Sequence, residues 1–187
     1  MQENYSEQPH PILTEIDEYL ESSFDEYSSR FKTKIIGAVT NEIIRNNLKQ
    51  EGILVSNRNV FISGLPTEWD LIVHRAGAVP EVGCVWTPKD VLAVIEIKYS
   101  GLYDHLAIQR LNNTFTILTE KHSHIKPFYF TLMETASAQD KVTDETLGCC
   151  ALTLHWWRMR KGKYVYSIPN HWEVLLNNLR NLQSETA

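Results

Sequence analysis

The alternation of apolar and polar positions along the chain predicts a β-sheet that is flanked by helices. Apolar residues recur at helical spacing in four segments, and short apolar runs bounded by turn residues predict strands between them. The predicted helices span residues 14–29, 30–50, 103–119 and 171–182. The predicted strands span residues 53–56, 59–63, 69–74, 82–86, 91–98, 127–133, 149–157 and 164–168, the last two as a hairpin. This order of elements is typical of an α/β or α+β fold with a mixed sheet.

The strand at residues 91–98 carries two charges at its end. Val91 to Ile95 is an unbroken apolar run, the pattern of a strand that is buried on both faces. Because alternate side chains of a strand share a face, Glu96 and Lys98 lie side by side beyond the apolar part of one face. The pair is either a salt bridge that solvates the end of the strand or part of a functional site, since buried charges need a partner or a metal.

A second carboxylate favours the functional interpretation. Asp70 begins another apolar strand, and it meets Glu96 at one sheet edge if the two strands are neighbours. Two carboxylates with a few waters provide the oxygen ligands that Mg²⁺ prefers. A nearby lysine can orient a water or stabilise charge on a phosphate. The pattern of Asp70, Glu96 and Lys98 therefore predicts a site for metal-assisted hydrolysis.

Glu42 is a candidate for a third carboxylate at the same metal. On a helical wheel it falls within the apolar face that Phe31, Ile35 and Val39 form on the second helix. A glutamate in such a position is either a residue that reaches solvent at the edge of the face or a buried group with a partner.

These features resemble the PD-(D/E)XK nuclease superfamily, which includes the restriction endonucleases. The resemblance rests on the order of elements, Asp70 and the sequence Glu96-Ile97-Lys98, and it covers about residues 31–134. It implies a restriction-endonuclease-like mixed sheet with an αβββαβ core, to which residues 135–187 add a hairpin and a helix. Trp69 stands where many members have a proline. The stretch from Gly64 to Lys98 is also similar to uncharacterised bacterial members, some of them associated with defence against foreign DNA.

The resemblance implies a role for each matching residue. Asp70 and Glu96 would bind Mg²⁺, which Mn²⁺ can replace, and Lys98 would assist catalysis. Glu42 matches a glutamate that is common in the first core helix of the superfamily. Gln109 matches a polar residue in the helix after the E-x-K motif and is a candidate for substrate binding. Ser100, two residues after Lys98, is a further candidate.

Other polar groups have ordinary interpretations. His74 lies on the strand face of Asp70 and is either a substrate-binding residue near the metal or a histidine at a strand end. His122 and His124 have no third ligand at convincing spacing, so they are interpreted as loop residues. The basic, aromatic stretch from Leu154 to Lys163 suits either nucleic-acid contacts or a solvated hairpin turn. The three cysteines form no disulfide framework.

The charge distribution permits a polyanionic ligand. The net charge is −5, but residues 1–30 contain eight acids and one base, so this acidic N-terminal helical arm carries −7 and the remainder +2. The length of 187 residues favours a single domain. No membrane-spanning run or signal-peptide pattern occurs, so the expected location is the cytoplasm.

The sequence thus leads to one main functional hypothesis, a Mg²⁺-dependent nuclease that acts on nucleic acid, with DNA as the expected substrate, in defence or DNA processing. A homodimer is compatible with this function. The alternatives are a catalytically inactive nuclease-fold module that binds nucleic acid or a partner protein, and a metal-dependent phosphoesterase that acts on nucleotides.

Overall fold

Four α-helices, one short 3-10 helix (Pro88–Asp90) and nine strands are found in the described part of the chain, which in the computed structural model comprises residues 5–6, 8–23, 29–101, 105–135 and 148–185. The helices are α1 (Pro11–Ser23), α2 (Ser29–Gln50), α3 (His105–Lys121) and α4 (His171–Ser184). The strands are β1 (Tyr5–Ser6), β2 (Val60–Ile62), β3 (Glu68–Trp69), β4 (Leu71–His74), β5 (Val85–Trp86), β6 (Val91–Ser100), β7 (Lys126–Thr135), β8 (Cys150–Arg160) and β9 (Lys163–Ser167). No helix in these ranges has the length and apolar character that a membrane crossing requires.

The main sheet has six strands in the order β1-β9-β8-β7-β6-β4. Strands β6, β7 and β8 are parallel, whereas β4 pairs antiparallel with β6 and β9 pairs antiparallel with β8. A second sheet of three short strands has the order β3-β2-β5. The prediction of a mixed α+β fold is therefore confirmed.

The main sheet separates two apolar cores. On one face, Ile95 and Ile97 of β6 pack with residues of α1, α2 and α4. On the other face, Val94 packs with α3 and with the small sheet, which contributes Trp69 and Trp86. The unbroken apolar run of β6 reflects this arrangement, because both of its faces are covered.

The first predicted helix and the first predicted strand both differ from the structure at their boundaries. Helix α1 begins at Pro11 rather than Thr14, because proline suits the first turn of a helix and the backbone carbonyl of His10 accepts from the amides of Leu13 and Thr14. Its predicted end, which includes Phe24 and Tyr27, lies outside the described residues. The strand predicted at residues 53–56 is reduced to a single bridge between Val55 and Val73.

The strand predicted at residues 69–74 is divided at Asp70. Trp69 pairs with Val60 in the small sheet, whereas Leu71 pairs with Ile95 in the main sheet. The apolar run alone did not reveal this, since both halves are buried and only the pairing partners differ. Asp70 thus stands at the bend where the chain passes from one sheet to the other.

Candidate active site

Asp70 lies where the pairing between β4 and β6 stops. The last pair of this antiparallel ladder is Leu71 with Ile95. Beyond it, the backbone amide of Ile97 donates to Oδ2 of Asp70 at 2.8 Å. The carboxylate therefore accepts the bond that a backbone carbonyl would accept if the strand continued, and this fixes the side chain beside β6.

The second oxygen of Asp70 is held by helix α2. Asn41 is a buried residue whose Nδ2 donates to Oδ1 of Asp70 at 2.7 Å. Both oxygens thus have a donor from the protein, and each keeps further acceptor capacity, since a carboxylate has about four lone-pair sites. Sequence reasoning missed Asn41. Its only signal was a polar position within the helix, 29 residues away from the residue that it contacts.

The ammonium of Lys98 lies close to both carboxylates. Its Nζ lies 2.5 Å from Oε1 of Glu96 and 3.7 Å from Oδ2 of Asp70. The three side chains are largely but not completely buried, with exposed fractions of 19% for Asp70, 18% for Glu96 and 34% for Lys98. The structure therefore brings together the three residues that the sequence analysis grouped, and they are accessible to a small ligand.

The electrostatics of this group favour a bound cation. Burial and then the negative charge of Asp70 raise the pKa of Glu96 to about 6, although Lys98 opposes the rise. Burial disfavours the ammonium of Lys98, but the charges of Glu96 and Asp70 outweigh it, so the pKa of Lys98 is raised. A divalent cation beside the two carboxylates would relieve their mutual repulsion.

The donor set fits Mg²⁺. Its ligands are oxygens in octahedral geometry, and it is commonly bound through one or two carboxylates with several waters retained. Asp70 and Glu96 supply two such carboxylates at one point of the sheet edge. Among the described residues, no group of three or more His, Cys, Asp or Glu side chains is arranged as a metal site. Waters and substrate oxygens would have to complete the coordination.

An open groove of about 280 Å³ adjoins Glu96 and Lys98. One wall is the segment from Thr67 to Trp69, which includes β3. The other wall is helix α3, through Ala107, Arg110, Leu111 and Thr114. The acid and lysine of the E-x-K motif are therefore reached from this groove.

Glu42 is paired with two arginines. Its carboxylate forms an ion pair with Arg45 and lies 3.4 Å from Nε of Arg58. The hydrogen bond from Arg45 comes first among the effects that lower the pKa of Glu42. Its side chain is 38% exposed, and the neighbouring Asn41 is the α2 residue that contacts Asp70. Its assignment as a metal ligand stays a prediction.

The three candidate substrate-binding residues occupy different positions. Ser100 is exposed at the end of β6, two residues beyond Lys98. Gln109 is exposed on α3 and does not line the groove, whereas its neighbour Arg110 does. His74 lies at the opposite end of β4 from Asp70, where its ring stacks on Trp86 at 4.6 Å.

The fold is shared with solved structures of NucC. The chain has a TM-score of 0.58 and 13% identity to the cAAA-bound form of Pseudomonas aeruginosa ATCC27853 NucC, over 91% of this chain and 88% of that one. The cAAA-bound form of Escherichia coli MS115-1 NucC gives the same score and identity, over 91% and 87%. The apo form of the E. coli protein gives 0.52 and 13%, over 90% and 89%.

No family model matches the chain, and no curated protein does. The likeness to NucC at 13% identity shows a shared fold and no more.

Proposed function

We propose that this chain is a Mg²⁺-dependent nuclease of the PD-(D/E)XK type that hydrolyses phosphodiester bonds of DNA. The observation that carries the proposal is the contact of one ammonium, that of Lys98, with the carboxylates of both Asp70 and Glu96. These groups lie beside an open groove, which would be the path of the nucleic-acid strand.

Each residue of the site has a distinct task in this proposal. Asp70 and Glu96 would hold Mg²⁺, or Mn²⁺ in its place, and the metal would supply Lewis-acid polarisation of the phosphate. Asn41 and the amide of Ile97 fix the orientation of Asp70. Lys98 would hold the attacking water and donate to the phosphate oxygens as negative charge develops on them. Glu42 is retained as an outer ligand.

A cleavage assay with four substrates tests the proposed activity. Supercoiled plasmid, linear duplex, single-stranded DNA and RNA would each be incubated with the protein and Mg²⁺, Mn²⁺ or EDTA. Cutting of DNA that EDTA abolishes is the expected result. If none of the substrates is cut in either metal, with or without cAAA, the nuclease proposal fails. A set of nucleotides in the same assay covers the phosphoesterase alternative.

Adding cAAA to this assay is justified because two of the similar NucC structures contain it. Cleavage that requires cAAA would identify it as an activator of this chain. Cleavage that is independent of cAAA would mean that the similarity to NucC extends to the fold but not to activation by cAAA. Light scattering of the same samples would test the homodimer, which would place one site on each strand of a duplex.

The second candidate is a binding module without activity. The observation that favours it is that Lys98 already contacts both carboxylates and compensates one of their two negative charges, with no third acidic, histidine or cysteine ligand among the described residues. Calorimetry with Mn²⁺ distinguishes the candidates. The nuclease is expected to bind Mn²⁺, and Asp70→Asn is expected to remove that binding. A binding module would show no Mn²⁺ binding in either protein.

A further inference from the structure

The groove beside the E-x-K motif is a candidate path for the substrate strand, so a cation on its walls is a candidate phosphate ligand. Two of its lining residues, Lys98 and Arg110, are cationic. Lys98 contacts Glu96 and Asp70, so its charge is already compensated within the site. Arg110 is exposed, and no ion pair involves it in the part of the chain that the structure describes.

The surroundings of Arg110 leave room for a ligand. Ala107, one turn earlier on α3, also lines the groove and presents only a methyl group. Thr114, one turn later, bonds its own helix, because its Oγ1 donates to the backbone carbonyl of Arg110 at 2.9 Å. The guanidinium is therefore the side-chain donor of α3 that is available at this wall of the groove.

We propose that Arg110 binds a phosphate next to the scissile phosphate and so directs the substrate strand along the groove between α3 and β3. This inference rests on the proposed nuclease function. A guanidinium matches a phosphate with two parallel N–H donors, and such charge-assisted bonds are about twice as strong as neutral ones. Arg110 is thus a substrate-binding residue, and Gln109 on the same helix is not required for this contact.

Binding is measured in the Lys98→Ala background with Mg²⁺, so that cutting does not interfere. Fluorescence anisotropy of a labelled 12-nucleotide single strand and of the matching duplex gives the dissociation constants. Arg110→Ala is expected to weaken binding about 10- to 100-fold. Arg110→Lys is expected to retain part of the affinity, since lysine keeps the positive charge but lacks the two parallel N–H donors of the guanidinium. In Arg110→Ala, the slope of log K against log salt concentration is expected to decrease in magnitude by about one, which corresponds to the loss of one phosphate contact.

Lys121→Ala is the matched control. Lys121 is exposed on the same helix, carries the same charge and does not line the groove. Its removal is expected to change binding less than about two-fold. Because alanine is the best helix former, both substitutions are compatible with an intact α3, which circular dichroism would verify.

The outcomes separate the two proposals. In the parent protein, Arg110→Ala is expected to raise KM much more than it lowers kcat. If the parent cuts DNA and Arg110→Ala behaves like Lys121→Ala, the assignment of Arg110 is wrong while the nuclease proposal stands. If the parent neither cuts nor binds any of these nucleic acids, the nuclease proposal fails and the assignment of Arg110 fails with it.

Discussion

Glu134 carries a buried carboxyl group that forms no hydrogen bond within the described part of the chain. It is 2% exposed, and neither of its oxygens has a hydrogen-bond partner among the described residues. Burial raises its pKa to about 7. Because the pKa in the folded state exceeds the value of 4.5 expected for an unfolded chain, the folded protein binds this proton more tightly. The contribution of Glu134 to the free energy of unfolding is fully present below pH 4.5 and is lost as the pH rises through 7.

Glu134→Gln is expected to stabilise the protein at pH 8 and to have little effect at pH 4.5. Ionisation of the buried carboxyl group costs roughly 3 kcal/mol, an upper figure from the difference between the two pKa values. Glutamine avoids this cost because it has no charge. Urea unfolding of both proteins at the two pH values measures the effect. Equal stability of the variant and the parent at pH 8 would show that Glu134 is paired or solvated.

His155 has the opposite dependence on pH. It is fully buried, its Nε2 accepts from the backbone amide of His10 at 2.7 Å, and its Nδ1 lies 3.0 Å from the carbonyl of Leu132. Burial lowers its pKa from 6.5 to about 4. The unfolded chain therefore binds the proton more tightly, so the stability from neutral His155 is present above pH 6.5 and is lost as the pH falls to 4.

The free energy of unfolding is expected to decrease by roughly 3 kcal/mol between pH 7 and pH 4 because of His155. The measurement belongs in the Glu134→Gln background, since Glu134 titrates in the opposite sense over an overlapping range. His155→Gln, which keeps one acceptor and one donor, is expected to flatten the curve. A curve of unchanged slope in that variant would assign the pH dependence to other groups.

At the scale of elements, the chain is closely packed where the parallel strands β6 and β7 end, because Gly101 lies against the side chain of Glu134. A Cβ added to Gly101 would lie 1.5 Å from Oε1 of Glu134, so no larger residue fits there unless the carboxyl group moves. The buried position of Glu134 leaves that group little freedom.

Gly101→Ala is expected to destabilise the protein by about 1–3 kcal/mol, the usual cost of overpacking. In the Glu134→Ala background, the same substitution is expected to be much less harmful, because the clashing group is absent. A double-mutant cycle by urea unfolding gives the coupling energy. Additive effects of the two substitutions would mean that the carboxyl group and Gly101 are not in contact.

The order of the elements and the D…E-x-K residues were predictable because they depend on local periodicity. Alternation along β6 placed Glu96 and Lys98 on one face, and the structure joins them at 2.5 Å. The division of residues 69–74 between two sheets was not predictable, since apolar alternation does not identify the pairing partner of a strand. Nor was the contact of Asn41 with Asp70, because a helical wheel cannot tell which polar position meets a distant carboxylate.

At the scale of the whole molecule, the candidate site occupies one end of the main sheet. Glu96 and Lys98 lie in the second half of β6, and Asp70 lies where the chain enters β4. Ligands of open α/β sheets bind outside the carboxyl ends of parallel strands. The groove between α3 and β3 lies beside this position. The placement of the site in the fold is therefore consistent with the proposed function.

The most direct test of the proposed function compares the parent protein with Lys98→Ala in the plasmid cleavage assay with Mn²⁺. Glu120→Ala, which removes an exposed charge on α3 away from β6, serves as the control for preparation and folding. We expect the parent and the control to cut and Lys98→Ala to lose at least about a hundred-fold in rate, the scale of losing one charge-stabilising donor. Cutting by Lys98→Ala at the rate of the parent would contradict the assignment of this site.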